Sequence, residues 1–173
     1  MRAFRKFCAF GFGTLLCLTP LALAQAPEHE LKAAFVFNFV QFTDWPNGSL
    51  PADRLTLCVS PGSPFARALQ ELEGKRAHNR PLVVVALGEA RPGDCQVVIA
   101  TPVDLPQLAT LKRLIGTGPV LSITDASELA RENMLIHLQI DNGRMVFDID
   151  NTKAQSSGLI LSSRILRLAR SVR

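Results

Sequence analysis

Hydrophobic and polar positions alternate most regularly near the end of the chain. Met134, Ile136, Leu138 and Ile140 point one way there, and Met145, Phe147 and Ile149 share that face. Alternation with a period of two marks half-buried strands, and Asn142-Gly143 between the runs suits a two-residue type I′ turn. The pattern therefore predicts an antiparallel hairpin closed by Asp141 and Arg144. That register sets His137 opposite Asp148 on the polar face.

A different pattern opens the chain's folded part. Pro27 with Glu28 and Glu30 suits a helix start, and from Leu31 to Phe42 the residues Ala33, Ala34, Phe35, Val36, Phe37, Phe39, Val40 and Phe42 are apolar on most of the circumference. A helix apolar all round is expected to be buried from several sides, with Asn38 as a buried amide bonded to a nearby loop. The helix must stop near Trp45, because Pro46 disfavours the α conformation in the residue before it.

Between these ends the elements alternate. Arg54 to Ser60 reads as a strand, Ser63-Pro64 as a helix start, and Phe65 to Leu72 as a helix ended by Gly74. Pro81 to Leu87, with Leu82-Val83-Val84-Val85, is apolar on both faces, as a central parallel strand should be. Cys95 to Ala100 is a third strand, Leu105 to Ile115 a second crossover helix, and Val120 to Ile123 a fourth strand leading into Thr124-Asp125. After the hairpin, Asn151 can cap a short helix that ends at Gly158. Ser162 or Ser163 can cap another, with Arg164, Arg167 and Arg170 on its outer side. The expected fold class is α/β: one domain with a mostly parallel sheet flanked by helices, a C-terminal antiparallel hairpin and a terminal helix.

The first 24 residues read as an export signal. Arg2, Arg5 and Lys6 form a basic start, Phe7 to Leu18 carries no charge, Pro20 breaks the run, and Ala22-Leu23-Ala24 supplies small residues for cleavage after Ala24. The competing reading is a membrane anchor, but an apolar run of about a dozen residues falls short of the ~20 that a spanning helix needs. Export to the periplasm makes kinases, dehydrogenases and free-thiol enzymes poor readings, since ATP, NADH and glutathione are not supplied there.

Cleavage also changes the arithmetic. The full chain carries +4, but removing those three cations from the nineteen basic residues leaves sixteen against fifteen acidic ones, a net charge of +1. A nucleic-acid partner is not supported by that balance. The remaining 149 residues, 25–173, suit one domain. Cys8 and Cys17 leave with the signal. Cys58 and Cys95 then read as one disulfide in an oxidising compartment, the alternative being two small buried thiols.

Candidate chemistry is sparse. His137 and Asp148 could serve as a base and its orienter with Ser60 or Ser122 as nucleophile, but no G-x-S-x-G elbow accompanies them, and such a pair on a sheet face is more simply a surface contact. His29, His78 and His137 lack metal-ligand spacing, and no phosphate-binding glycine loop follows a strand. No cofactor is expected. Asn47-Gly48-Ser49 reads as a turn. A small anion could sit where Ser60-Pro61-Gly62-Ser63 runs from a strand end into a helix start, unless Ser63 merely caps its own helix. Among the residues of that loop, Ser60, Gly62 and Ser63 are the candidates.

The succession of segments resembles the YfiR family of periplasmic proteins. The residues that carry the resemblance are Leu31 through Pro46, Arg80-Pro81-Leu82, Cys95, Pro119 through Asp125, Phe147-Asp148-Ile149 and Gly158 through Ala169. Where the family usually has Gly-Gly before the first hairpin strand, this chain has Arg131-Glu132-Asn133-Met134. The resemblance implies a regulator without catalysis, dimeric in the family's manner, that binds the periplasmic domain of an inner-membrane diguanylate cyclase of the YfiN kind. Holding that domain keeps cyclic di-GMP low and restrains biofilm formation. Release would follow a change in envelope redox state or capture on an outer-membrane lipoprotein. It further implies that Cys58 and Cys95 form an intramolecular disulfide supporting the fold. Leu159, Arg164, Leu166 and Arg167 are candidate partner contacts, the plainer reading being that they pack on the first helix and face water. A periplasmic small-ligand-binding module unconnected to a cyclase is the alternative, and an unidentified hydrolase comes third.

Overall fold

The computed structural model describes residues 28–132 and 134–173, so the expected signal peptide, its cleavage site and the backbone of Asn133 lie outside it. Helix α1 (Glu28–Gln41) leads into a two-residue strand β1 (Thr43–Asp44), then β2 (Leu55–Val59), α2 (Pro64–Gln70), β3 (Arg76–Ala77) and β4 (Arg80–Ala86). There follow β5 (Val97–Ala100), α3 (Leu108–Ile115), β6 (Leu121–Thr124) and α4 (Ser127–Ala130). The hairpin strands are β7 (Ile136–Asp141) and β8 (Arg144–Ile149), and the chain closes with α5 (Asn151–Ser156), β9 (Ile160–Leu161), α6 (Ser163–Leu168) and β10 (Ser171–Val172).

Eight of these strands make one sheet in the order β10-β8-β7-β6-β5-β2-β4-β3. The run β4-β2-β5-β6-β7 is parallel throughout. Its centre, β2, β5 and β6, is buried at every residue. Side chains alternate between two cores. Leu57, Ile99 and Ile123 pack with Val36, Phe39, Phe65 and Ile165 from α1, α2 and α6. Cys58, Val98 and Ala100 pack with Leu111, Leu114 and Leu129 from α3 and α4. The fold is thus the expected α/β sheet with helices on both faces.

The hairpin has the anticipated register: Asp141 pairs with Arg144 and His137 with Asp148. Asn142 and Gly143, at φ +48 and +75, make the turn. Helix α2 also starts as expected, with Pro64 in its first turn and the Ser63 hydroxyl accepting the Ala66 N–H at 2.9 Å.

Several details differ. β4 lies one strand from the edge rather than at the centre, and only Leu82 of its seven residues is buried. A β-branched run fits a half-covered strand as readily as a central one. Helix α1 is buried along a stripe that includes Ala33, Val36, Phe39 and Val40, while Ala34 and Asn38 are exposed. Asn38 is therefore not a buried amide; one sheet covers one side of the helix. Asp150, not Asn151, caps α5, its carboxylate accepting the Lys153 N–H at 2.9 Å. Arg170 is not on α6, which ends at Leu168. Gly158 does break the chain before β9, at φ +82, and a Cβ there would lie 2.9 Å from the Pro46 ring. That close approach lets β9 pair with β1, Thr43 opposite Leu161, and ties the end of α1 to the C-terminal segment.

Candidate functional site

The disulfide forms between Cys58 in β2 and Cys95 just before β5, with Cα atoms 5.8 Å apart. The two residues are 0% and 3% exposed, so the bridge sits inside the second core.

At the carboxyl end of β2 the loop residues are already engaged. Ser63 caps its own helix, and the Ser60 hydroxyl donates to the Asp104 carboxylate. Asp104 is 1% exposed and is also bonded by the Thr101 N–H and hydroxyl. Gly62, at φ +98, is exposed at the turn. A buried carboxylate beside Ser60 opposes a second anion there, because like charges repel strongly where water is excluded.

At the carboxyl end of β6 lies a pair that sequence reasoning missed. Lys32 of α1 is 7% exposed; its ammonium reaches Asp125 Oδ2 at 2.9 Å and Glu28 Oε1 at 2.7 Å, and lies 5.7 Å from the centre of the Phe65 ring. Burial alone would lower its pKa, but the bonds to Glu28 and Asp125 outweigh burial and hold the ammonium above the ordinary lysine value. Lys32 holds Glu28 below the usual carboxylate range in return. The legible signal was the Glu28–Lys32 spacing of four, which favours such a pair on a helix.

On the polar face of the hairpin, His137 Nδ1 is 4.0 Å from Asp148 Oδ2, beyond hydrogen-bond distance. Asp148 is instead held by Arg170 at 3.0 and 2.5 Å and by the Gln139 amide at 3.0 Å. Burial pushes the His137 pKa down, and Arg170 works in the same direction against the pull of Asp148. Neither serine proposed as a nucleophile is offered to this histidine. Ser60 is bonded to Asp104, and Ser122 is fully buried with its hydroxyl accepting the Leu135 N–H at 3.1 Å. The arrangement does not assemble a nucleophile, a base and an orienter.

The C-terminal segment divides in two. Leu159 is 0% exposed and belongs to the main core, so it presents nothing to a partner in this conformation. Leu166 is half-buried against the same core. Arg164 and Arg167 face solvent, Arg164 with its guanidinium 5.1 Å from the centre of the Phe42 ring. Leu168, which sequence reasoning passed over, stands beside them at 69% exposed. The spacing 164, 167 and 168 places all three on one side of α6. A separate groove of about 680 Å³ runs between α1 and α2, lined by Ala33, Ala34, Phe37, Ala68 and Leu72 with a charged rim. Among the described residues no helix is long and apolar enough to cross a membrane.

The chain is thus a covered α/β sheet that carries Arg164, Arg167 and Leu168 exposed on one side of its last helix. Residues 29–170 match the family model described as YfiR/HmsC-like, DUF4154, and the chain belongs to that family, a regulatory one. A solved structure, a conserved domain protein from Vibrio cholerae O1 biovar El Tor strain N16961, is similar in fold with a TM-score of 0.54 at 15% identity. The alignment covers 84% of this chain and 60% of that one. No curated protein matches the sequence.

Proposed function

We propose that this chain is a periplasmic regulator that binds the periplasmic domain of an inner-membrane diguanylate cyclase of the YfiN kind and keeps cyclic di-GMP synthesis low. The family match over residues 29–170 carries the reading. The basic N-terminal run followed by an uncharged stretch supports export, and the buried disulfide supports residence in an oxidising compartment. Arg164 and Arg167, with Leu166 behind them, are the contacts we assign to the cyclase. The protein acts as a homodimer without cofactor, and an outer-membrane lipoprotein competes for it to relieve repression.

The test is capture of membrane proteins on the mature chain, paired with cyclic di-GMP measurement in cells lacking the gene. Retention of a membrane cyclase and a rise in cyclic di-GMP are expected. If no membrane signalling protein is retained and the nucleotide level is unchanged, the reading fails.

A further inference from the structure

The two ends of the disulfide are held very differently. Cys58 is fully enclosed within β2, opposite Val85 of β4 on one side and Val98 of β5 on the other, so it cannot shift without breaking two ladders. Cys95 precedes β5, outside any strand, and among the described residues its N–H and C=O bond to no other backbone group. Residues 91–94 just before it are exposed. They form a turn in which the Asp94 N–H donates to Arg91 O at 3.0 Å and the Arg91 N–H to Asp94 Oδ2 at 2.8 Å. Segments with exposed backbone and few bonds open locally at far lower cost than the whole fold. Opening this turn uncovers Cys95 and leaves Cys58 in the sheet.

Cys95 also lines a cavity of about 300 Å³, together with Gly93, Arg113, Leu114, Gly116 and Gly118. The three glycines leave that space unfilled, and the exposed Arg113 adds positive charge, which favours the thiolate form of an entering thiol. Which sulfur of a disulfide is attacked depends on access as well as on the leaving group. Here access is one-sided.

We propose that Cys95 is the site at which a small thiol opens the bridge, entering by the cavity beside the 91–94 turn. The incoming thiolate forms a new S–S bond to Cys95 Sγ, the bond between Cys95 and Cys58 breaks, and its electron pair leaves on Cys58 Sγ, which then takes a proton from water. The thiol is oxidised as Cys58 is reduced, so no further oxidant is needed. Cys58 emerges among apolar side chains, where a thiolate is disfavoured, and it is held beside the mixed disulfide by its strand. Re-attack on Cys95 therefore closes the bridge again unless a second thiol removes the first. This inference concerns the chemistry of the bridge and does not depend on the cyclase assignment.

The test is the position of the first mixed disulfide. Folded wild type is exposed to β-mercaptoethanol at neutral pH and sampled over time into acid, and the cysteine peptides are weighed by mass spectrometry. The adduct is expected on Cys95, with Cys58 as the free thiol, before fully reduced chains accumulate. An adduct on Cys58, equal adducts on both cysteines, full reduction with no earlier adduct on Cys95, or a bridge that reacts only in denaturant overturns the proposal. Asp94→Ala, which removes an exposed carboxylate from the turn, is expected to raise the rate of adduct formation several-fold while the thermal midpoint stays near that of wild type. An unchanged rate overturns the entry route.

Discussion

Lys32 and Asp125 join the first helix to the end of a central strand across 93 residues of sequence, with Nζ and Oδ2 2.9 Å apart. Both side chains are nearly enclosed, at 8% and 10% exposed, while the second partner of the lysine, Glu28, is half in solvent. Removing Asp125 therefore leaves a buried ammonium with one exposed carboxylate. Loss of one member of a buried pair costs ~3 kcal/mol or more, whereas exchanging both for apolar residues is often neutral. Asp125→Ala is expected to lower unfolding stability by about that amount, and Lys32→Met/Asp125→Leu to recover most of it. Urea unfolding of the two variants measures the difference; equal losses would show that the pair does not couple these elements.

The same pair has a pH signature. The Lys32 pKa is raised in the folded state, so its contribution is fully present below the unfolded value of 10.5 and is lost as pH rises through the higher folded value. Wild type is expected to lose more stability than Lys32→Met above pH 10.5. Thermal melts from pH 9 to 12 check this. Parallel curves for the two proteins would contradict it.

His137 works in the opposite direction. Its folded pKa is held below 6.5 by burial and by Arg170, so the neutral ring is favoured in the native state. Stability is then full above 6.5 and falls as the pH drops through the lower folded value. His137→Gln is expected to reduce the loss of stability between pH 7 and pH 4.5, with the shared carboxylates contributing equally to both proteins. Urea midpoints at the two pH values decide the matter.

What the chain disclosed, and what it withheld, follows from the range of the interactions. The β7–β8 register was legible because period-two alternation leaves two possibilities and Asn142-Gly143 selects one. Helix α2 was legible through Ser63-Pro64. By contrast, β3 and β4 turn through His78 and Asn79, at φ +49 and +63, without the glycine that would announce such a turn. Strands β1 and β9 are two residues each, too short to show a period, and pair residues as distant in sequence as Thr43 and Leu161. Arg170 continues the arginine spacing of α6, but its place is set by Asp148, which lies 22 residues earlier. The partner of Ser60 was hidden for the same reason, since Asp104 lies 44 residues further along the chain.

The disulfide closes a segment of 37 residues, for which the chain-entropy model gives roughly 4 kcal/mol. Cys58→Ser is expected to lose a comparable amount under oxidising conditions. Because the sulfurs lie within a core, thiol reductant should act on the wild type only at the rate of its opening. Thiol counting under acid quench, with and without denaturant, measures this. Rapid appearance of two thiols in native buffer would contradict the burial of the bridge.

If the basic face of α6 is the proposed cyclase contact, substitutions there separate partner binding from stability. Arg164 and Arg167 are exposed; Arg164 lies over the Phe42 ring and Arg167 donates to the Ser163 hydroxyl at 3.3 Å, contacts worth under ~1 kcal/mol each at the surface. Arg164→Glu/Arg167→Glu is therefore expected to keep thermal stability close to wild type. If these arginines meet an acidic surface on the cyclase, the reversed charges should abolish its capture from membranes, and salt should weaken capture by the wild type within a Debye length's reach. Leu168→Ser, which removes the apolar side chain beside them, should weaken capture without changing its salt dependence. Undiminished capture by the double variant would move the contact away from α6, while a large loss of stability would show that these arginines support the fold instead.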